Sequence, residues 1–179
     1  TLTQIADANY QAATATMTLT VDKAAPAITF TDVTKTYGDD PFTLSATSSN
    51  TSAFTYSVSD ANVATVSGNT ITIVGAGTTS VTLTQIADAN YQAATATMTL
   101  NVDTSVLTIT ANDDNGVDTN PAYSGGNGVT YQGFKGSDSE ADLSGTLSYT
   151  GTSQGATAAG TYAIEPTGIT SSNYSITFV

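Results

Sequence analysis

The segment TLTQIADANYQAATATMTLTVD at residues 1–22 returns at 82–103 as TLTQIADANYQAATATMTLNVD, with Thr20 against Asn101 as the only difference. Its second half alternates strictly, with Ala13, Ala15, Met17, Leu19 and Val21 interleaved between Thr14, Thr16, Thr18 and Thr20. Successive side chains of a strand point to opposite faces, so this spacing gives a strand with one apolar face and one threonine face. DANY (Asp7–Tyr10, and again Asp88–Tyr91) is turn-like and separates that strand from the preceding TLTQIA. The repeated unit is therefore a hairpin. Its one substitution falls on the polar face, where a core does not feel it.

The second copy closes a longer pattern. From Ala27 the chain reads AITFTDVTKTY, PFTLSATS, AFTYSVSD, NVATVSG, NTITIVG, TTSVTLTQIA and QAATATMTLNVD. Turn residues punctuate these runs at Gly38-Asp39-Asp40-Pro41, Asp60-Ala61-Asn62, Gly68-Asn69 and Gly75-Ala76-Gly77. About seven short strands in about 80 residues is the pattern of an immunoglobulin-like sandwich. The alternation points Ile28, Phe30, Phe42, Leu44, Phe54, Tyr56, Val58, Val66, Ile71, Ile73, Val81 and Leu83 inward.

A further module follows Asp103, with VLTITA, GVTYQGF, LSGTLSYTG, GTYAIEPTGI and NYSITFV as its strands. Residues 22–26 and 101–105 read as short joints. The fold class is thus all-β, with tandem immunoglobulin-like sandwich modules arranged end to end. Residues 23–103 form one module and 104–179 another. Residues 1–22 read as the C-terminal hairpin of a truncated preceding repeat, and their near-identity to 82–103 as a recent duplication within a tandem array. A lone hairpin is marginal in water. Residues 23–26 span at most about 14 Å, too little to bring 1–22 into the seat of 82–103 within its own sandwich. The hairpin is expected to pack at the joint or to swap into a neighbouring molecule.

Composition narrows the function. Thr makes up about a fifth of the chain, and its branched Cβ suits a pleated surface. The formal charge is −12, with three basic residues in all and no His. Nucleic acid is excluded as a partner, because phosphate binding needs a basic face. Direct membrane insertion is not expected, since no segment reaches the apolar length of a span. There is no Cys, so disulfides and thiolate metal sites are unavailable.

Spaced motifs in the C-terminal module carry a resemblance. LTITA, Asn120-Pro121, GFKGSD (Gly133–Asp138), LSG (Leu143–Gly145), GTYAI (Gly160–Ile164) and GITSSNY (Gly168–Tyr174) resemble the MBG domain, a Gly- and Thr-rich β-sandwich repeat of bacterial surface proteins. The family usually shows a K-x-Y-G-D turn after its first strand. DDNGVD (Asp113–Asp118) stands there instead, while the middle module carries the turn as KTYGDDP (Lys35–Pro41). The family also tends to have one more strand after its N-Y-x-I-T segment, so 104–179 is expected to lack its last strand. The middle module resembles the Ig-like repeats that accompany such domains in giant adhesins of the Bacteroidota. These resemblances imply display at the bacterial cell surface, outside the cell and associated with the outer membrane through other regions. They further imply surface attachment, with a role in gliding motility among the options. The implied partners are neighbouring repeats of the same chain and an external substratum or surface glycan. No catalytic residues or cofactors come with the resemblance.

Without His, Cys or Arg, most nucleophile–base pairs cannot be assembled. The carboxylate clusters Asp39/Asp40, Asp113/Asp114/Asp118 and Asp138/Glu140/Asp142 offer the two-carboxyl chemistry of glycosidases only in principle. Asp is a common turn residue, and the chain reads as not an enzyme. Calcium is the better use of the acids, because a hard cation takes several oxygens from a tight loop. The candidates are Asp113, Asn115 and Asp118 around a glycine, and Asp138, Glu140 and Asp142 on one face of an extended segment; plain surface acidity is the competing reading. Tyr10, Tyr91 and Tyr174 each follow Asn before a last strand and read as corner tyrosines tying a loop to the sandwich. An ice-binding role for the threonine row conflicts with strand twist. Lys23, Lys35 and Lys135 are the available donors for an isopeptide crosslink.

Overall fold

The computed structural model describes residues 1–115 and 122–179. Among the described residues sixteen strands carry the fold. Along the N-terminal hairpin and the middle module these are β1 (Leu2–Gln4), β2 (Ala13–Ala15), β3 (Ile28–Thr29), β4 (Val33–Thr36), β5 (Phe42–Thr43), β6 (Thr47–Ser48), β7 (Phe54–Val58), β8 (Ala64–Ser67), β9 (Thr70–Ile73), β10 (Gly77–Gln85) and β11 (Ala94–Asp103). The C-terminal module adds β12 (Ser105–Ala111), β13 (Val129–Gln132), β14 (Ser144–Thr150), β15 (Glu165–Thr170) and β16 (Tyr174–Phe178).

In the middle module a four-stranded sheet, β4-β11-β10-β7, faces a three-stranded one, β5-β9-β8. The core between them is Leu44, Val63, Ala64, Ile71, Val81, Met98, Leu100 and Val102, drawn from both sheets. Every inward residue expected from the alternation is buried or half-buried. The expected strands AITFTDVTKTY and PFTLSATS are each broken in two, because the chain changes sheet within them. β3 pairs with β6, whereas β4 runs parallel to β11 and β5 pairs with β9. At the crossing Asp32 Oδ1 accepts the Thr99 N–H at 2.6 Å, so a side chain supplies the acceptor that no backbone offers there.

The C-terminal module packs β13-β12-β16 with the pair β14-β15 around Leu107, Ile109, Ile169 and Tyr174. Each of these two modules sets an early strand parallel to its last one, β4, the second of the middle module, on β11 and β12, the first of the C-terminal module, on β16. The joint is shorter than the 101–105 expected from sequence: β11 ends at Asp103 and β12 begins at Ser105, leaving Thr104 alone between them.

The two copies of the repeated hairpin share one register. Leu2 faces Ala15 and Gln4 faces Ala13, as Leu83 faces Ala96 and Gln85 faces Ala94. Residues 94–103 occupy the seat in the middle sandwich, and the first copy stands outside it with Leu2, Ile5, Met17, Leu19 and Val21 exposed.

Candidate functional site

The joint between the middle and C-terminal modules is built from KTYGD, GFKGSD and the Asn-Tyr dipeptide. KTYGD turns because Asp39 closes it twice, donating its N–H to the Thr36 carbonyl at 3.0 Å and accepting the Thr36 N–H on Oδ2 at 3.0 Å. Gly38 takes φ +88°, a conformation that a Cβ strains. The turn is anchored beside the joint by the Tyr37 N–H, which donates to the Asp103 carbonyl at 2.8 Å. The Tyr37 side chain thereby crosses into the next module.

There its hydroxyl donates to Asp138 Oδ2 at 2.8 Å, and the Tyr174 hydroxyl donates to the same oxygen at 2.6 Å. The Tyr174 hydroxyl also accepts the Lys135 N–H at 2.8 Å, which ties the GFKGSD loop to β16. The Tyr37 and Tyr174 rings meet edge to face with centroids 5.5 Å apart, and Phe134 meets Tyr174 in the same way at 5.8 Å. Such edge-on pairs place a ring's positive rim against its neighbour's negative face. The stem of Lys135 lies on Gly38 so closely that a Cβ there would sit 2.5 Å from its Cγ. On the other side of the joint, the Ala76 N–H donates to Asn173 Oδ1 at 2.9 Å, and the Ser105 N–H donates to the Asn173 carbonyl at 3.0 Å. A carboxylate that accepts two hydroxyls makes charge-assisted bonds, stronger than neutral ones.

Both tyrosines feel this setting. Burial, and then the bond to Asp138, pushes the Tyr174 phenol up to about 12. The same two causes, in the same order, raise Tyr37. Both stay protonated as donors throughout the neutral range.

The calcium candidates are distributed differently from the expectation. Asp138, Glu140 and Asp142 do not share a strand face, because Glu140–Asp142 is a single 3-10 turn capped by Ser139. Asp142 Oδ2 accepts the Ser139 N–H at 2.8 Å, and Asp138 is engaged by the tyrosines. Asp113 gives its carbonyl to the Asn127 side chain at 2.9 Å. Asn115 lies two residues on, and Asp118 falls outside the described residues, as does Asn120-Pro121. Among the described residues no group of three or more carboxylates is placed to hold a metal ion. Tyr174 is a corner tyrosine as expected, whereas Tyr10 is exposed. Of the three lysines, Lys23 donates to the Asp88 carbonyl and Lys35 lies 5.0 Å over the Phe42 ring. Among the described residues no helix is long and apolar enough to cross a membrane.

An open cleft of about 760 Å³ lies at the far end of the C-terminal module, lined in part by Asp113, Asp114, Tyr123, Tyr162 and Val179. The Tyr123 hydroxyl donates to Asp114 Oδ2 at 2.7 Å, and this bond raises its phenol.

Sequence reasoning named Asp138 for a cation and Tyr37 only as part of a turn. The signal for their meeting was the pairing of a Tyr-Gly-Asp turn with an Asn-Tyr dipeptide in successive modules. Residues 107–179 match the family model of the MBG domain (YGX type). That match supports an MBG-type repeat in the C-terminal module, of a family found in surface adhesin-like repeat proteins and structural rather than typically catalytic. No curated protein and no solved structure matches the chain.

Proposed function

We propose that this protein is a repeat segment of a long filamentous adhesin on the bacterial cell surface, where it acts as a stalk that holds a binding region away from the cell. The observation that carries this reading is the joint. A single residue separates β11 from β12, and the Tyr37–Asp138–Tyr174 contacts brace the two modules across it. A brace of this kind turns two small sandwiches into one stiff unit, which is what a spacer requires. The charge of −12 discourages sideways association of such filaments. We further propose that the parent is an adhesin of the gliding-motility kind, similar to SprB.

Small-angle scattering tests the stalk directly, with an elongated rigid two-module particle as the expected result. A profile that fits only freely jointed modules would sink it. The second reading, a glycan-binding module, is favoured by the cleft beside Tyr123 and Tyr162, where tyrosine rings and carboxylates meet. A polysaccharide pull-down separates the two: saturable binding abolished by Tyr162→Ala supports the glycan site, and no binding supports the spacer.

A further inference from the structure

The chain contains two module joints, and they share one backbone pattern. At the second, the Ser105 N–H donates to the Asn173 carbonyl at 3.0 Å, and Ser105 pairs in parallel with Tyr174. At the first, the Ala24 N–H donates to the Asn90 carbonyl at 2.9 Å, and Ala24 bridges in parallel to Tyr91. Asp22 and Asp103 end copies of the same hairpin and lead into Lys23-Ala24 and Thr104-Ser105, so the joints correspond residue by residue. Only the second is complete. There the hairpin carries β7 on one edge and β4 on the other, Tyr37 bonds Asp103, and Ala76 bonds the Asn173 side chain.

The first hairpin holds the same register with none of these partners. Gln85 is buried, donating to the Asn50 and Ser52 carbonyls and accepting from Ser48, while its counterpart Gln4 is exposed. Leu2, Met17, Leu19 and Val21 also stand in solvent, whereas their counterparts Leu83, Met98, Leu100 and Val102 are buried. A contiguous apolar face of this kind marks an interaction surface, and the buried copy shows what such a face takes.

We propose that residues 1–22, together with the Asp88–Gln92 turn, form a docking surface for the body of a further module like residues 27–81, joined in cis. Seated as 27–81 sits on 82–103, that body lays its counterpart of β4 along Leu19–Asp22 and its counterpart of β7 along Leu2–Gln4. Its Tyr-Gly turn then lies over Tyr91 as Tyr37 lies over Tyr174, and its counterpart of Ala76 donates to the Asn90 side chain. Twenty-one of the hairpin's positions are unchanged between the copies, the twenty-second being Thr20 for Asn101. That change removes one cross-strand bond, which Thr78 makes to Asn101 Oδ1 at 2.9 Å, and leaves the apolar face untouched. The inference rests on the tandem-module reading and not on the adhesive role.

The test is a longer chain in which a copy of residues 23–81 precedes Thr1, read by amide hydrogen exchange at residues 16–21. In the 179-residue protein these amides are expected to exchange near free-peptide rates. In a monomeric longer chain they are expected to slow by about a hundredfold or more. Unchanged exchange overturns the proposal. So does slowing confined to dimers that grow with concentration, which identifies a second copy as the occupant instead. A second arm supplies 23–81 as a separate polypeptide to the 179-residue protein. Saturable one-to-one binding with the same slowed amides supports the proposal, and no slowing in either arm overturns it. Failure in both arms leaves the spacer reading intact, because that reading stands on the joint at 103–105.

Discussion

Leu19 and Leu100 occupy equivalent places in the repeated hairpin, yet one is 79% exposed and the other fully buried. Met17 and Met98 divide in the same way, at 83% and 3%. Local sequence around each pair differs only at Thr20 against Asn101, and where the first copy pairs, Leu2–Gln4 with Ala13–Ala15, its register is that of the second. The difference is the neighbours. β10 and β11 are flanked by β7 and β4 and roofed by β5-β9-β8, and residues 1–22 have none of these. An amphipathic strand specifies which face is apolar, and burial is conferred by whatever other chain covers that face.

Matched substitutions in the two copies give the largest expected contrast. Leu100→Ala should destabilise the middle module by about 2–5 kcal/mol through lost burial and a residual cavity. Leu19→Ala should shift the melting transition by no more than about 0.5 kcal/mol. Equal effects in chemical denaturation would show that the first hairpin is covered in solution.

A second contrast pits two glycines against each other. Gly38 and Gly68 both have positive φ, but a Cβ at Gly68 meets nothing within 4 Å, whereas one at Gly38 meets the Lys135 stem. Gly68→Ala should cost about 1–2 kcal/mol of backbone strain. Gly38→Ala should add to that strain a loosened joint, seen as separate rotational correlation times for the two modules by NMR relaxation. Joint tumbling in both variants would remove Gly38 from the brace.

Within the brace, Tyr37→Phe deletes one hydroxyl bound to a carboxylate, a loss of about 1–2 kcal/mol. A double-mutant cycle with Asp138→Ala should return a coupling of the same order, because the two side chains share one bond. A coupling near zero would show that the contact holds nothing.

The joint should also loosen in alkali. Tyr174 titrates near 12 in the folded chain, against an ordinary phenol value of 10. A raised value means that folding favours the protonated form. The associated stability is therefore fully present below pH 10 and is lost as pH rises through about 12. Tyr174→Phe should flatten the pH dependence of the melting temperature in that window, and an unchanged slope would assign the alkaline loss elsewhere.

The smallest effect is expected at the one position where the copies differ. Asn101→Thr removes the bonds to Thr78 and to Asp103 Oδ1, both at the surface, and should cost less than about 0.5 kcal/mol. A larger loss would mean that the seat discriminates between the two copies.

Much of the fold was legible because alternation is strict in this chain. The inward set from Ile28 to Leu83 followed from period-two spacing alone, and the hairpin followed from two alternating runs around DANY. The sheet changes within AITFTDVTKTY and PFTLSATS were not legible. In AITFTDVTKTY the apolar phase slips by one residue between Phe30 and Val33, at the Asp32 that marks the crossing, and a slip of that size does not say by itself which sheet each half joins. The acids of 138–142 misled in a similar way, since period-two spacing suits a strand face but also the capped turn that Ser139 and Asp142 close together.

Sequence by itself determined that this chain is built of threonine-faced strands with a near-exact internal repeat, and that it lacks the His, Cys and Arg that most nucleophile–base pairs use. Side-chain periodicity and missing His, Cys and Arg are local facts and need no neighbours. The tertiary structure alone decided which of two equivalent hairpins is core and which is surface, and that Asp138 serves two tyrosines from different modules. Both depend on contacts between residues tens of positions apart, where the geometry of the whole module brings a hydroxyl or an apolar face within reach.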